Sequence, residues 1–151
     1  MKGTAFSHQD GAIVIPRALQ EELSQIIKQI RVKVERGAAS SVREALIRGL
    51  LHHGWAGEVA LNSSSKITIT SSKSGVGLCL QTGNISRMYA DLLKLQKLYL
   101  DSSIVAGVMI VPSHPCAKVL GDNLANATRL EAELSIFAKV ITVPILLLSI
   151  E

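Results

Sequence analysis

The stretch KITITSSKSGVGLCLQTGN, Lys66 to Asn84, decides the reading of the fold. Ile67-Thr68-Ile69-Thr70 alternates apolar and polar residues, Ser74-Gly75 is a turn, and Val76 to Leu80 is a second extended run, so two strands return on each other. Just upstream, Glu58-Val59-Ala60-Leu61 leads into the polar turn Asn62-Ser63-Ser64-Ser65. The three segments read as an antiparallel meander.

Downstream, Met88, Leu92, Leu95 and Tyr99 recur at helical spacing and predict an amphipathic helix over Ile85 to Leu100. Ile104 to Val111 follows as an almost uniformly apolar strand stopped by Pro112, the pattern of a strand buried on both faces. Strand, helix and buried strand together make a crossover unit. Asn123 to Phe137 is read as a further helix with Asp122-Asn123 as its N-cap. Ile141 to Ile150 closes the chain as a strand whose Pro144 argues for an edge position or an end of pairing.

On the other side of the meander, Pro16 opens a helix whose stripe is Leu19, Leu23, Ile26, Ile27 and Ile30, with Gly37 as its stop. Ser41-Val42-Arg43-Glu44 has the form of a capping box, and Leu46, Ile47, Leu50 and Leu51 continue a buried face to Gly54. The order is two helices, a meander, helix, strand, helix, strand. No linker or repeat interrupts it, and 151 residues at 48% hydrophobic content suit one domain, 1–151.

The longest apolar run falls far short of the roughly 20 residues of a membrane-spanning helix, and no secretory leader is visible, so a cytoplasmic protein without membrane contact is expected. Cys79 and Cys116 have no CxxC spacing, which favours two reduced thiols over a disulfide or a zinc site. A net charge of +4 suits an anionic partner.

The Lys66–Asn84 hairpin resembles the active-site hairpin of BglII-type restriction endonucleases, in which an Asp ends one strand and an acid-x-Gln unit ends the next. Tyr89 to Gln96 is similar to the helix after that hairpin, Ala106 to Pro112 to its buried strand, and Leu130-Glu131-Ala132-Glu133-Leu134 with Val143-Pro144-Ile145 to its closing elements. The resemblance implies an α/β (α+β) restriction-endonuclease-like core: a mixed central sheet of about five strands flanked by helices.

The resemblance also implies a site. In this fold two carboxylates on adjacent strand ends hold Mg²⁺ beside the scissile phosphate. Carried over position by position, the Asp falls on Thr70, the acid on Cys79 and the Gln on Gln81, so only the last is retained. A hydroxyl and a thiol are neutral and do not replace two negative charges. Glu22, Glu44, Glu58 and Asp91 are the acids that could substitute, and Cys79 as a nucleophile lacks a neighbouring His. His52-His53 reads as a helix C-terminal cap rather than a metal pair, Trp55 as a packing residue, and His114 as a loop residue.

Lys66, Lys73, Arg87, Lys94 and Lys97 cluster around the hairpin and its helix, the region that faces DNA in such nucleases, with Lys73 and Arg87 the foremost candidates. The expected function is a DNA-binding, catalytically inactive member of the fold that needs no cofactor, acting alone or within a DNA-processing or defence assembly. Two alternatives stand beside it: a Mg²⁺-dependent DNA endonuclease with relocated carboxylates, and an immunity or dimerisation module without a nucleic-acid role. The exposed side of the first helix is a candidate surface for a homodimer or a partner protein.

Overall fold

A computed structural model describes residues 1–151. Its centre is a five-stranded mixed sheet in the order β1-β7-β6-β5-β4. These strands are β1 (Gly3–His8), β4 (Ser71–Lys73), β5 (Val76–Leu80), β6 (Ala106–Pro112) and β7 (Ile145–Ile150). β5, β6 and β7 run parallel, while β4 and β1 close the two sides antiparallel. Every residue of β5, β6 and β7 is buried, which explains why their sequences are continuous apolar runs rather than alternations.

Helices cover both faces. On one, α2 (Arg17–Gln29), α3 (Ala39–His52) and α5 (His114–Leu120) pack against Val76, Leu78, Leu80, Val108, Ile110, Leu146 and Leu148. On the other, α4 (Arg87–Leu100) and α6 (Ala127–Ile136) cover Cys79, Met109, Val111, Ile145 and Leu147. α4 is the crossover from β5 to β6, as its periodicity predicts, and begins two residues later than Ile85. It lies close on the sheet because Gly77 and Gly107 offer no side chain beneath Leu95; a Cβ at Gly107 would stand 2.9 Å from Leu95 Cδ1. The short α1 (Gly11–Val14) presses so tightly on β7 that a Cβ at Gly11 would lie 2.2 Å from the Ile145 carbonyl.

Several expectations are corrected. Of the two readings of Pro144 the end of pairing holds and the edge does not, since β7 begins at Ile145 and lies between β6 and β1. Pro144 precedes it, so its missing N–H removes no ladder bond, and its carbonyl accepts from Gly107 N at 2.8 Å. β1 itself, a Gly-Thr-Ala-Phe-Ser-His segment exposed over most of its length, has no apolar pattern to announce it and exists by pairing with β7. Ser41 caps nothing, because α3 begins at Ala39 without a side-chain cap. α2 ends at Gln29 rather than near Gly37. His114 opens α5, which Ser113 caps by accepting from Cys116 N, instead of sitting in a loop. α6 starts at Ala127 with Asn126 as its cap, since Asn123 takes a left-handed φ of 54° and Asp122 pairs with Arg36.

The meander divides in two. β2 (Val59–Ala60) and β3 (Thr68–Ile69) form a separate two-stranded antiparallel sheet, and the chain then bends at Thr70 to enter the main sheet as β4. That bend carries Thr70 to the end of β5, where Thr70 Oγ1 accepts from Leu80 N at 3.0 Å.

Candidate functional site

The parallel strand β5 ends at an open cleft of about 650 Å³, and the ends of parallel strands are where open α/β sheets bind ligands. Its floor is Thr70 and the segment Leu80-Gln81-Thr82-Gly83. One wall comes from α4 with Arg87, Asp91 and Lys94; the other comes from the start of α3 with Ser40 and Arg43; Glu58 and Thr68 stand at the rim.

Alternation along β5 sorts the three residues expected at the site. Leu78 and Leu80 face α2 and α3, so Cys79 faces α4 and is buried at 1% exposure, outside the cleft lining. Its Sγ lies 4.0 Å from the Asp91 carbonyl oxygen. Burial, and then the Asp91 charge, push the thiol far above the ordinary cysteine value, which keeps it protonated and poor as a nucleophile.

Gln81 lines the cleft but has both ends of its amide in use. Nε2 donates to Asp91 Oδ2 at 2.6 Å, and Oε1 accepts from Gly83 N at 3.0 Å. Asp91 Oδ1 in turn accepts from Lys94 Nζ at 3.0 Å. The α4 wall is thus a closed network in which a buried carboxylate is satisfied by an amide and an ammonium.

The cations expected to meet DNA separate into groups. Arg87 and Lys94 line the cleft, and Lys66 is exposed on the approach to β3. Lys97, one turn beyond Lys94, donates to Leu61 O and pairs with Asp101. Lys73, at the far end of β5, is committed inside the protein: its Nζ donates to both carboxylate oxygens of Glu22 at 2.9 Å and to His53 O at 2.6 Å. Trp55 Nε1 donates to the same Glu22 at 2.7 Å, with Trp55 itself in the core. Burial alone would raise the Glu22 pKa, but the bonds and charge of Lys73, the Trp55 N–H and the nearby His53 outweigh it and hold the carboxyl below its usual value.

Of the acids considered as substitutes, Glu22 is therefore engaged at the wrong end of β5, and Glu44 is exposed on α3 away from the cleft. Glu58 lines the rim and Asp91 the wall, the only two carboxylates there. His53 occupies the C-cap of α3, its ring nitrogen 2.9 Å from Gly49 O, and no group of three His, Cys, Asp or Glu side chains comes together anywhere in the molecule.

Arg43 is the residue that the sequence reading passed over. Its Nη1 donates to Leu80 O at 2.5 Å, across from Thr70 on the same residue. A signal for it existed: with Leu46, Ile47 and Leu50, Arg43 falls on one helical row, and it is the only charged member of that row. A charge on a core-facing stripe has a partner to reach.

A mixed sheet of this order, with a crossover helix and a cleft at the end of β5, defines a restriction-endonuclease-like domain. The family model for restriction endonuclease BglII/BglIII matches residues 4–150, and the chain belongs to that family. The chain superimposes on the crystal structure of BglII complexed with a DNA 16-mer with a TM-score of 0.88 at 12% identity, covering 100% of this chain and 78% of that one. Free BglII gives a TM-score of 0.79 at 14% identity, covering 100% and 80%. No curated protein sequence matches the chain.

The divalent ion that this fold family implies does not fit the donors present. Mg²⁺ requires hard oxygen ligands with negative charge among them. Here Thr70 is neutral, Cys79 is a buried thiol facing α4, and Asp91 is tied to Gln81 and the Lys94 ammonium, which leaves Glu58 as the one carboxylate of the cleft without a partner.

Proposed function

We propose that this chain is a DNA-binding member of the BglII endonuclease family that does not cleave DNA by the metal-dependent route. The observation carrying this reading is the pairing of a retained cationic cleft with the absent acids. Arg43, Arg87 and Lys94 line a cavity at the end of β5, while Thr70 and Cys79 occupy the positions that resemble the family's metal-binding acids.

Neutralisation of phosphates by Arg and Lys supplies most of the sequence-independent affinity for DNA, and an overall charge of +4 adds attraction at longer range. Lys66 extends the cationic surface beyond the cleft. No helix is long and apolar enough to cross a membrane. Gln81, the retained member of the family's trio, supports a structural role here, because its amide ties Asp91 to the Gly83 turn.

Incubation of the purified protein with supercoiled plasmid in Mg²⁺ or Mn²⁺, beside binding to labelled duplex at several salt concentrations, tests the reading. The expected result is salt-sensitive binding without nicking. Cleavage that disappears in Gln81→Ala would overturn it in favour of an active endonuclease, and binding indifferent to salt, or none, would favour a protein-interaction module.

A further inference from the structure

A fixed cation lies where a divalent ion lacks its ligands. Leu80 joins the two sides of the cleft floor: its N–H donates to Thr70 Oγ1 at 3.0 Å, and its carbonyl accepts from Arg43 Nη1 at 2.5 Å. Arg43 reaches this point from α3, half-buried, and the other nitrogens of its guanidinium have no protein partner. The contrast with Lys94 is direct, because that ammonium is neutralised by Asp91 at 3.0 Å. Arg87, exposed on α4, forms no ion pair and flanks the same cavity.

We propose that Arg43 takes the place of the divalent ion in this cleft, so that a DNA phosphate is held directly by its guanidinium and without metal. This rests on the DNA-binding reading above and specifies how the cleft achieves it. A cluster of carboxylates attracts a metal but repels a phosphate once the metal is gone. With Thr70 on the floor and Cys79 buried beneath α4, neither effect arises there, since a neutral floor neither needs a cation nor opposes an anion. A guanidinium keeps its charge at every accessible pH and presents a planar fork that matches two phosphate oxygens. Anchoring one nitrogen on Leu80 O fixes the fork before the ligand arrives, so less side-chain freedom is lost on binding.

The test is fluorescence anisotropy of a labelled DNA duplex with wild-type protein, first in EDTA and then with added Mg²⁺, followed by Arg43→Gln over a range of salt. Gln keeps a donor for Leu80 O but carries no charge. Binding should persist in EDTA and gain nothing from Mg²⁺. Arg43→Gln should weaken binding by about tenfold and lower the salt slope by about one, the signature of one lost phosphate contact. Arg43→Lys should recover most of the slope and part of the affinity, which a purely structural role for the bond to Leu80 would not produce. Should Arg43→Gln fail to fold by circular dichroism, Arg43→Lys and the EDTA comparison decide. Binding that requires Mg²⁺, or a folded Arg43→Gln with wild-type affinity and slope, overturns the metal-free role of Arg43 and leaves the DNA-binding reading standing. No binding of the wild type to DNA at low salt sinks the DNA-binding reading itself, and this inference with it.

Discussion

The two walls of the cleft carry similar residue types and use them in opposite ways. On the α4 wall, Asp91, Gln81 and Lys94 satisfy one another, with Cys79 sealed beneath them. On the α3 wall, Arg43 spends one donor on Leu80 O and keeps the rest free. Each wall meets the end of the same strand. A buried polar group satisfied internally holds the fold in place, whereas a donor left open toward a cavity is available to a ligand. The Asp91–Gln81–Lys94 network of the α4 wall is therefore read as support, and Arg43 of the α3 wall, together with the unpaired Arg87, as the binding side, so substitutions within the network should register mainly as stability.

The largest effect is expected from Cys79→Glu. A carboxylate introduced under α4, beside the Asp91 carbonyl and charge, is desolvated without a partner and should cost on the order of 4 kcal/mol in urea unfolding at neutral pH. Adding Thr70→Asp sharpens the comparison by placing acids at both positions. Mg²⁺ should then raise the unfolding midpoint of the double variant by mass action and leave the wild type unmoved. A Cys79→Glu protein as stable as the wild type would show that the α4 wall yields, and the distinction between the walls would fail.

Next in size is Asp91→Ala, which leaves Gln81 Nε2 and Lys94 Nζ without their acceptor. A loss of about 3 kcal/mol in thermal or urea unfolding is expected from the buried amide and ammonium. In the fraction that stays folded, the freed ammonium joins the cationic lining, so the DNA salt slope should rise by about one. A drop in affinity with no change in stability would mean that the Asp91 network touches the ligand and that its assignment as support is wrong.

The difference between the walls also explains what was legible in the sequence. The buried strands β5, β6 and β7 and the stripes of α2 and α4 depend on continuous or periodic apolar residues, and those patterns survive in one dimension. Thr70, Cys79 and Gln81 were singled out by the resemblance of the hairpin to that of BglII-type endonucleases, position by position. That Cys79 faces α4 and that Gln81 is internally bonded depend on strand alternation against a helix that begins several residues downstream. Arg43 was missed because its acceptor is a backbone carbonyl 37 positions away, and a carbonyl carries no residue identity. β1 was missed for a similar reason: its stability comes from pairing with β7, residue against residue from Gly3 with Ile150 to His8 with Ile145, and little from its own side chains.

The smallest expected effect lies away from both walls and serves as their control. Glu22 holds Lys73 and Trp55 at the far end of β5, and about a quarter of each ion-pair side chain remains exposed, so Glu22→Gln should cost only about 1 kcal/mol at neutral pH. Its pH dependence has a definite sign. The folded pKa lies below the ordinary value of 4.5, so on acidification the unfolded chain takes up the proton first. The contribution of Glu22 is complete above that value and drains away as pH falls through the lowered folded pKa. The gap in unfolding free energy between wild type and Glu22→Gln should therefore be constant near neutrality and close in acid. DNA affinity should not change, because Glu22 and its partners lie outside the cleft. A gap that widens in acid would contradict the direction assigned to Glu22, and a change in DNA affinity would extend the binding surface to the end of β5 where Lys73 sits.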